Sequence, residues 1–194
     1  MSKAAGDPER AVNGLLSVAQ LLEESRLARL YTFALREGEV TIDDIVSELE
    51  MPRTTAYSDA STLVELGVMT RDEQNKIHTY CAVPVTLTAT LDGDEYTITP
   101  TLIEAFGRSS QDQDLDLFIE RYGLGKLAAT LTYALPYAEG EMSERVAARE
   151  LDLQYAFAIA VLQALRDVVL DMKTVDPYFD DIRNAREHPP TKES

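Results

Sequence analysis

The chain has 194 residues, 45% of them hydrophobic, and carries 34 Asp and Glu against 18 Lys and Arg, a formal net charge of −16. That length and apolar content support one domain or two small ones around a real core. The charge excludes the basic composition of a general nucleic-acid-binding protein.

The acidic residues are spread through the chain and form no single tail, so the charge belongs to the whole surface. It fits an ordinary acidic cytosolic protein, or one adapted to a very salty cytoplasm where a carboxylate surface stays hydrated and its self-repulsion is screened. The 13 Arg beside only 5 Lys, and the many small residues, favour the second. One cysteine, Cys81, rules out an internal disulfide and suits a reducing interior. The opening "MSKAAGDPER" has no apolar core, and no run approaches the length of a bilayer span. The expectation is a soluble, cytoplasmic protein without membrane contact.

Residues 1–9 are small and polar and are expected to be disordered. From Arg10, the apolar positions Val12, Leu15, Leu16, Ala19 and Leu22 recur at helical spacing. A second run, Leu27, Leu30, Tyr31, Ala34 and Leu35, ends at Gly38. These make two helices or one kinked helix. Thr41 with Asp44 three residues on resembles a capping box, and Ile42, Ile45, Val46 and Leu49 form one apolar face. Pro52, tolerated only in a first turn, opens a helix that runs to about Leu66 and is capped by Gly67. The segments "MTRDE" and "IHTYCAV" flank the polar "QNK" and suit an antiparallel hairpin. A second hairpin, "VTLTATLDGDEYTITP", turns at Asp92-Gly93. Pro100 then opens a helix over about 101–108, and "RSSQDQD" has the composition of a linker.

Residues 27–69 align with residues 127–171 at an offset of 100 that becomes 102 after a two-residue insertion. Leu27, Ala28, Thr32, Ala34 and Leu35 match Leu127, Ala128, Thr132, Ala134 and Leu135; Gly38, Glu39, Glu48 and Leu49 match Gly140, Glu141, Glu150 and Leu151. Thr41 and Ser143 hold the same cap position. Shared glycine, cap and helix lengths together indicate a second, degenerate helix-turn-helix-like unit. The fold class is therefore mainly α with small β-hairpins (α+β). A winged helix-turn-helix with its N-terminal helix and two hairpins spans 10–99, the second unit 100–176 and a fraying polar tail 177–194.

The two units differ on their outer faces. In the first, Arg53, Thr54, Thr55, Tyr57, Ser58 and Ser61 are available to base edges and phosphates, and Arg71, Lys76 and His78 cluster at the wing. In the second, the corresponding face holds Tyr155, Ala156, Ile159, Ala160 and Gln163. A face so apolar should be covered by protein, either in a dimer through Tyr155, Ile159, Ala160 and Gln163 or by packing within the monomer.

The segment from "LARLYTFALREGEVTIDDIVSEL" through "TTAYSDASTLVELGVM", with "TYCAVPVTLTATLDGDEYTITPTLIEAF" and "DLFIERYGLGKLAATLTYALPYAEGE", resembles the winged-helix transcriptional regulators of halophilic archaea over roughly residues 20–172. The resemblance implies a DNA-binding regulator, a homodimer on double-stranded DNA, without an established effector. The chain departs from this pattern in the shortage of basic residues on its recognition helix. The alternative is a tandem winged-helix module that binds another protein of the transcription or chromosome machinery and reads no bases.

Other signals are weak. Asp112, Asp114 and Asp116 alternate as in a calcium loop, but Leu117 and Gly123 stand where Gly and Glu are needed, which leaves an acidic helix start. "GLGK" at 123–126 lacks the spacing of a phosphate loop. His78 and His188 lie too far apart in sequence and context for a metal pair, and Cys81 suits a strand better than a redox sensor. No nucleophile, base and orienter can be assembled, so neither an enzyme nor a metal or other cofactor is expected; an unidentified small-molecule effector remains open.

Residues 51–80 hold three basic and four acidic side chains, a net −1, while the rest of the chain carries −15. The proposed reading face is a local minimum of repulsion. In molar salt the Debye length falls to about 3 Å, and short-range fit then decides binding. Affinity for duplex DNA is expected to fall far less steeply with rising KCl than that of a basic repressor, in a titration from low to molar salt. A steep loss would contradict this.

Overall fold

The computed structural model describes residues 8–74, 76–91 and 94–180. Expectations for residues 1–7, the Asp92-Gly93 turn, Asn75 in the first hairpin, His188 and the tail 181–194 lie outside these residues, as does the side chain of Val12.

Two helices open the chain, α1 (Pro8–Leu21) and α2 (Ser25–Glu37). The apolar stripe of α2 repeats at helical spacing, and Leu27, Leu30, Tyr31, Ala34 and Leu35 are all buried. On α1 the expected face is corrected. Val18 and Leu21 are buried, whereas Leu15 and Leu16 are 51% and 58% exposed. Helical spacing located a stripe, but α1 meets the body through a face rotated from it.

A two-residue strand that sequence reading missed, β1 (Val40–Thr41), precedes α3 (Ile42–Leu49). Thr41 closes a capping box with Asp44: the Asp44 N–H donates to Thr41 Oγ1 at 3.3 Å, and the Thr41 N–H to Asp44 Oδ2 at 2.8 Å. The Thr41 hydroxyl, 2.7 Å from Asp44 Oδ2, and then the Thr41 N–H hold the Asp44 carboxyl below its ordinary range. Helix α4 (Arg53–Glu65) starts just after Pro52. It stops as expected at Gly67 (φ +72°), where the Gly67 N–H donates to Val64 O and the Val68 N–H to Leu63 O, a left-handed cap that disfavours a side chain.

Strands β2 (Met69–Asp72) and β3 (Thr79–Ala82) form the wing, and β1 pairs with β3, giving the antiparallel order β1-β3-β2. Buried Tyr31 secures the exit from β3: its hydroxyl donates to Val83 O at 2.9 Å and accepts the Val85 N–H at 3.0 Å. Burial pushes the phenol pKa up. The second hairpin, β4 (Leu87–Leu91) and β5 (Asp94–Ile98), is a separate two-stranded sheet in which Leu91 pairs with Asp94.

Helix α5 (Pro100–Ser109) begins with Pro100 behind the Thr99 cap. The expected linker "RSSQDQD" is instead the end of α5, three connecting residues and the start of α6 (Gln113–Ala138). Arg108 is anchored inside the body, and Asp112 caps α6 by accepting the Asp114 and Leu115 N–H groups. The polar composition reflects helix ends and an ion network, not a free segment. Gly123 (φ +78°) breaks α6, so its two segments diverge there.

Helices α7 (Glu144–Glu150) and α8 (Tyr155–Met172) follow at 110° to each other. Among the described residues, the two non-glycine positions with positive φ are Glu50 (51°) and Asp152 (50°), 102 residues apart like Gly38 (82°) and Gly140 (77°). The expected fraying from residue 177 is corrected at its start. Phe179 is buried, and Asp176 Oδ2 accepts the Thr101 N–H at 2.9 Å and its hydroxyl at 2.5 Å.

One cluster of buried residues runs from Leu21 through α2, α4 and α5 to α8 and Phe179, across the division expected at residues 99/100. Helix α5 makes that continuity by lying on α2. A Cβ on Gly107 would come within 3.0 Å of the Arg29 backbone nitrogen. One turn earlier, buried Glu104 accepts from Arg36 at 2.9 Å, Arg108 at 2.6 Å and the Thr32 hydroxyl. Arg108 also reaches Asp171 of α8 at 2.5 Å. No single helix among the described residues is long and apolar enough to cross a membrane. Glu104→Ala is expected to cost about 2–4 kcal/mol, because two arginines and a buried hydroxyl lose the one buried carboxylate they share. Denaturant unfolding in concentrated KCl measures it, and a change below about 1 kcal/mol would contradict the role assigned to this carboxylate.

Candidate nucleic-acid interface

Helix α4 turns its small residues inward, with Ala56, Ala60 and Leu63 buried, and its polar residues outward. Arg53, Thr54, Tyr57, Ser58 and Ser61 are exposed, and Thr55 is half-buried. Asp59 is the exception on the inner face. Its side chain is buried and receives Arg26 of α2 bidentately, through Nε at 2.6 Å and the second terminal nitrogen at 3.2 Å. The pair orients α4 against the helix behind it. An acid at i+3 from Ala56 and i−4 from Leu63, in the middle of a core stripe, is the signal that could have disclosed it.

The N-terminal turn of α4 faces the wing across a concavity of about 260 Å³, lined by Arg53, Tyr57, Lys76 and His78 with Ile77 and the start of α3. Four of the nine candidate DNA-binding residues therefore converge. Thr54, Ser58 and Ser61 lie along the outer surface of α4 beyond that hollow, and Ser58 O accepts the Thr62 hydroxyl at 3.0 Å. Arg71 on β2 is engaged by its neighbours: Nε donates to His78 Nδ1 at 3.1 Å and lies 3.2 Å from Glu73.

Two features of this face were not anticipated. Ile77 at the wing tip is 65% exposed. Asp43, in the first turn of α3, accepts a hydrogen bond from Arg53 NH1, and the same guanidinium lies 5.8 Å from the Tyr57 ring centre. Asp43 stands beside the capping pair, where an acid is unremarkable in sequence because the helix start favours negative charge. Cys81 sits in β3 opposite Thr70, half-buried; burial raises its thiol pKa, away from thiolate reactivity.

On α8, Ala158, Val161, Leu162, Leu165, Val168, Val169 and Met172 face inward. Of the residues singled out on its other face, Tyr155 and Gln163 are exposed and Ile159 and Ala160 half-buried, next to exposed Ala156. A shallow apolar hollow of about 140 Å³ lies between Leu117, Phe118, Phe157 and Ala160. The Arg121 guanidinium covers the Phe157 ring at 4.5 Å.

Residues 26–86 match the family described as sugar-specific transcriptional regulator TrmB. Residues 109–174 match a family of unknown function (DUF7437). Each match covers less than half of the chain. No curated protein and no solved structure matches it significantly. The first match coincides with α2 through β3, the segment whose order and three-stranded sheet form the winged helix, and points to a DNA-binding transcriptional regulator. The second covers the helices from α6 onward.

Proposed function

We propose that this chain is a sequence-specific DNA-binding transcriptional regulator, in which α4 enters the major groove and the β2-β3 wing meets the backbone beside it. The observation that carries the reading is the convergence of Arg53 and Tyr57 with Lys76 and His78 around one hollow, within the segment that matches a regulator family. Arg53 offers a bidentate edge to guanine, Thr54, Thr55, Ser58 and Ser61 add hydroxyl donors and acceptors, and Tyr57 an apolar ring edge. Lys76, Arg71 and His78 supply the wing's phosphate contacts. Such a face suits duplex DNA at high salt, where long-range repulsion from the remaining acids is screened.

The second unit supports a homodimer in this proposal. Its equivalent turns at Gly140 and Asp152, and the start of α8 at Tyr155, favour descent from a second helix-turn-helix copy whose reading face became apolar. Tyr155, Ile159, Ala160 and Gln163 would be covered by the partner, and the exposed Leu15 and Leu16 of α1 would offer it a further apolar contact. A two-fold dimer would read half-sites about one helical turn, or a multiple of it, apart.

Genome-wide occupancy of the tagged protein tests base reading. Wild type is expected to yield peaks sharing a recurring sequence, and Arg53→Ala with Thr54→Ala to abolish them; unchanged occupancy would transfer the protein to the interaction-module reading. For the dimer, Ile159→Asp is expected to halve the mass measured by light scattering in KCl, and a variant of unchanged mass would remove α8 from the interface.

A further inference from the structure

We propose that Asp43 is a specificity-determining positioning residue, which holds Arg53 to read a base and weakens its grip on phosphate; the inference rests on the DNA-reading assignment above. Asp43 is mounted on a rigid support, since the turn from which it projects is closed by the Thr41-Asp44 capping box. Its carboxylate takes a single terminal nitrogen of Arg53, while the Tyr57 ring, one turn along α4, lies beside the same guanidinium. One nitrogen and one flank are thereby set. A guanidinium carries five N–H donors, so the edge away from Asp43 still suits the paired acceptors of guanine.

Folding stability does not account for this arrangement. The two side chains are 57% and 71% exposed, and ion pairs so placed add little to stability. In recognition their effect is larger. A carboxylate at the mouth of the hollow repels the phosphates on which sequence-independent affinity depends. It leaves a correctly presented guanine edge attractive, because the base brings no net charge. Asp43 therefore lowers binding to random DNA more than binding to the right sequence, and specificity is the difference between the two. On a chain with so few basic residues, this makes Arg53 a reader more than an anchor.

The test uses the full chain as wild type, Asp43→Asn, Arg53→Ala and the double variant. Each is used to select from a randomised duplex library in concentrated KCl and is titrated against a random-sequence duplex over a range of salt. Asp43→Asn is expected to tighten random-duplex binding, to steepen its dependence on log salt by about one unit, and to lose preference at one base pair of the wild-type motif. In the Arg53→Ala background, Asp43→Asn should leave motif preference unchanged. If wild type selects no motif, the DNA-reading assignment fails and this inference with it. If wild type selects a motif and Asp43→Asn matches it in motif and salt slope, this inference alone is overturned. A gain in random-duplex binding that persists undiminished without Arg53 also overturns it, since Asp43 would then act by simple repulsion.

Discussion

Helix α2 is enclosed on nearly every side, with Leu27, Ala28, Leu30, Tyr31, Thr32, Phe33, Ala34 and Leu35 buried, and the rest of the structure is arranged around it. Through Arg26 it grips Asp59 and sets the tilt of α4; through the Tyr31 hydroxyl it pins the chain leaving the wing. On the opposite side Thr32 and Arg36 meet Glu104 of α5, which also engages Arg108. Arg108 continues the network to Asp171 of α8. A helix surrounded in this way needs small or flat neighbours, and Gly107 lets α5 come close at Arg29. The winged helix and the helices from α5 onward thus share one core through a single element.

The same constraint defines the surface left for recognition. With the inner stripe of α4 committed to Ala56, Asp59, Ala60 and Leu63, its remaining faces carry hydroxyls, one arginine, one tyrosine, Val64 and the acid Glu65. Arg53 and Arg71 each have a carboxylate beside them, Asp43 and Glu73 respectively. Such a face offers little to a generic polyanion and more to a partner with matched hydrogen-bonding groups. Its near neutrality within a chain of net charge −16 is compatible with DNA where salt has removed the long-range field.

Repeated turns at Gly38 and Gly140, and at Glu50 and Asp152, mark the same backbone corners in both halves, but their surroundings differ. Thr41 caps α3 with its side chain, whereas Ser143 stands before α7 without a side-chain cap bond. The first unit continues into a wing, and no further strand follows α8 among the described residues. The outer face of α4 is hydroxyl-rich, while that of α8 carries Tyr155, Ala156, Ile159 and Ala160 in its first half and exposed Gln163, Arg166, Asp167 and Asp171 beyond them.

The order of the elements was legible in the sequence, because helix starts and stops are local chemistry: Thr41 with Asp44, Pro52, Gly67 and Pro100 each impose a backbone state on their neighbours. The buried stripe of α2 followed from periodicity for the same reason. Periodicity failed on α1, where Leu15 and Leu16 remain exposed, since a stripe shows that a face exists but not which body it meets. Composition failed at "RSSQDQD" and at Asp176 to Phe179, where polar residues serve as helix caps and ion partners for groups distant along the chain. The nine candidate reading residues came from sequence, but only the tertiary structure brought Arg53, Tyr57, Lys76 and His78 to one hollow and placed Asp43 among them. Local backbone preferences act over three or four residues and can be read in order, whereas a contact between the first turn of α3, the first turn of α4 and the wing depends on how three separate elements pack.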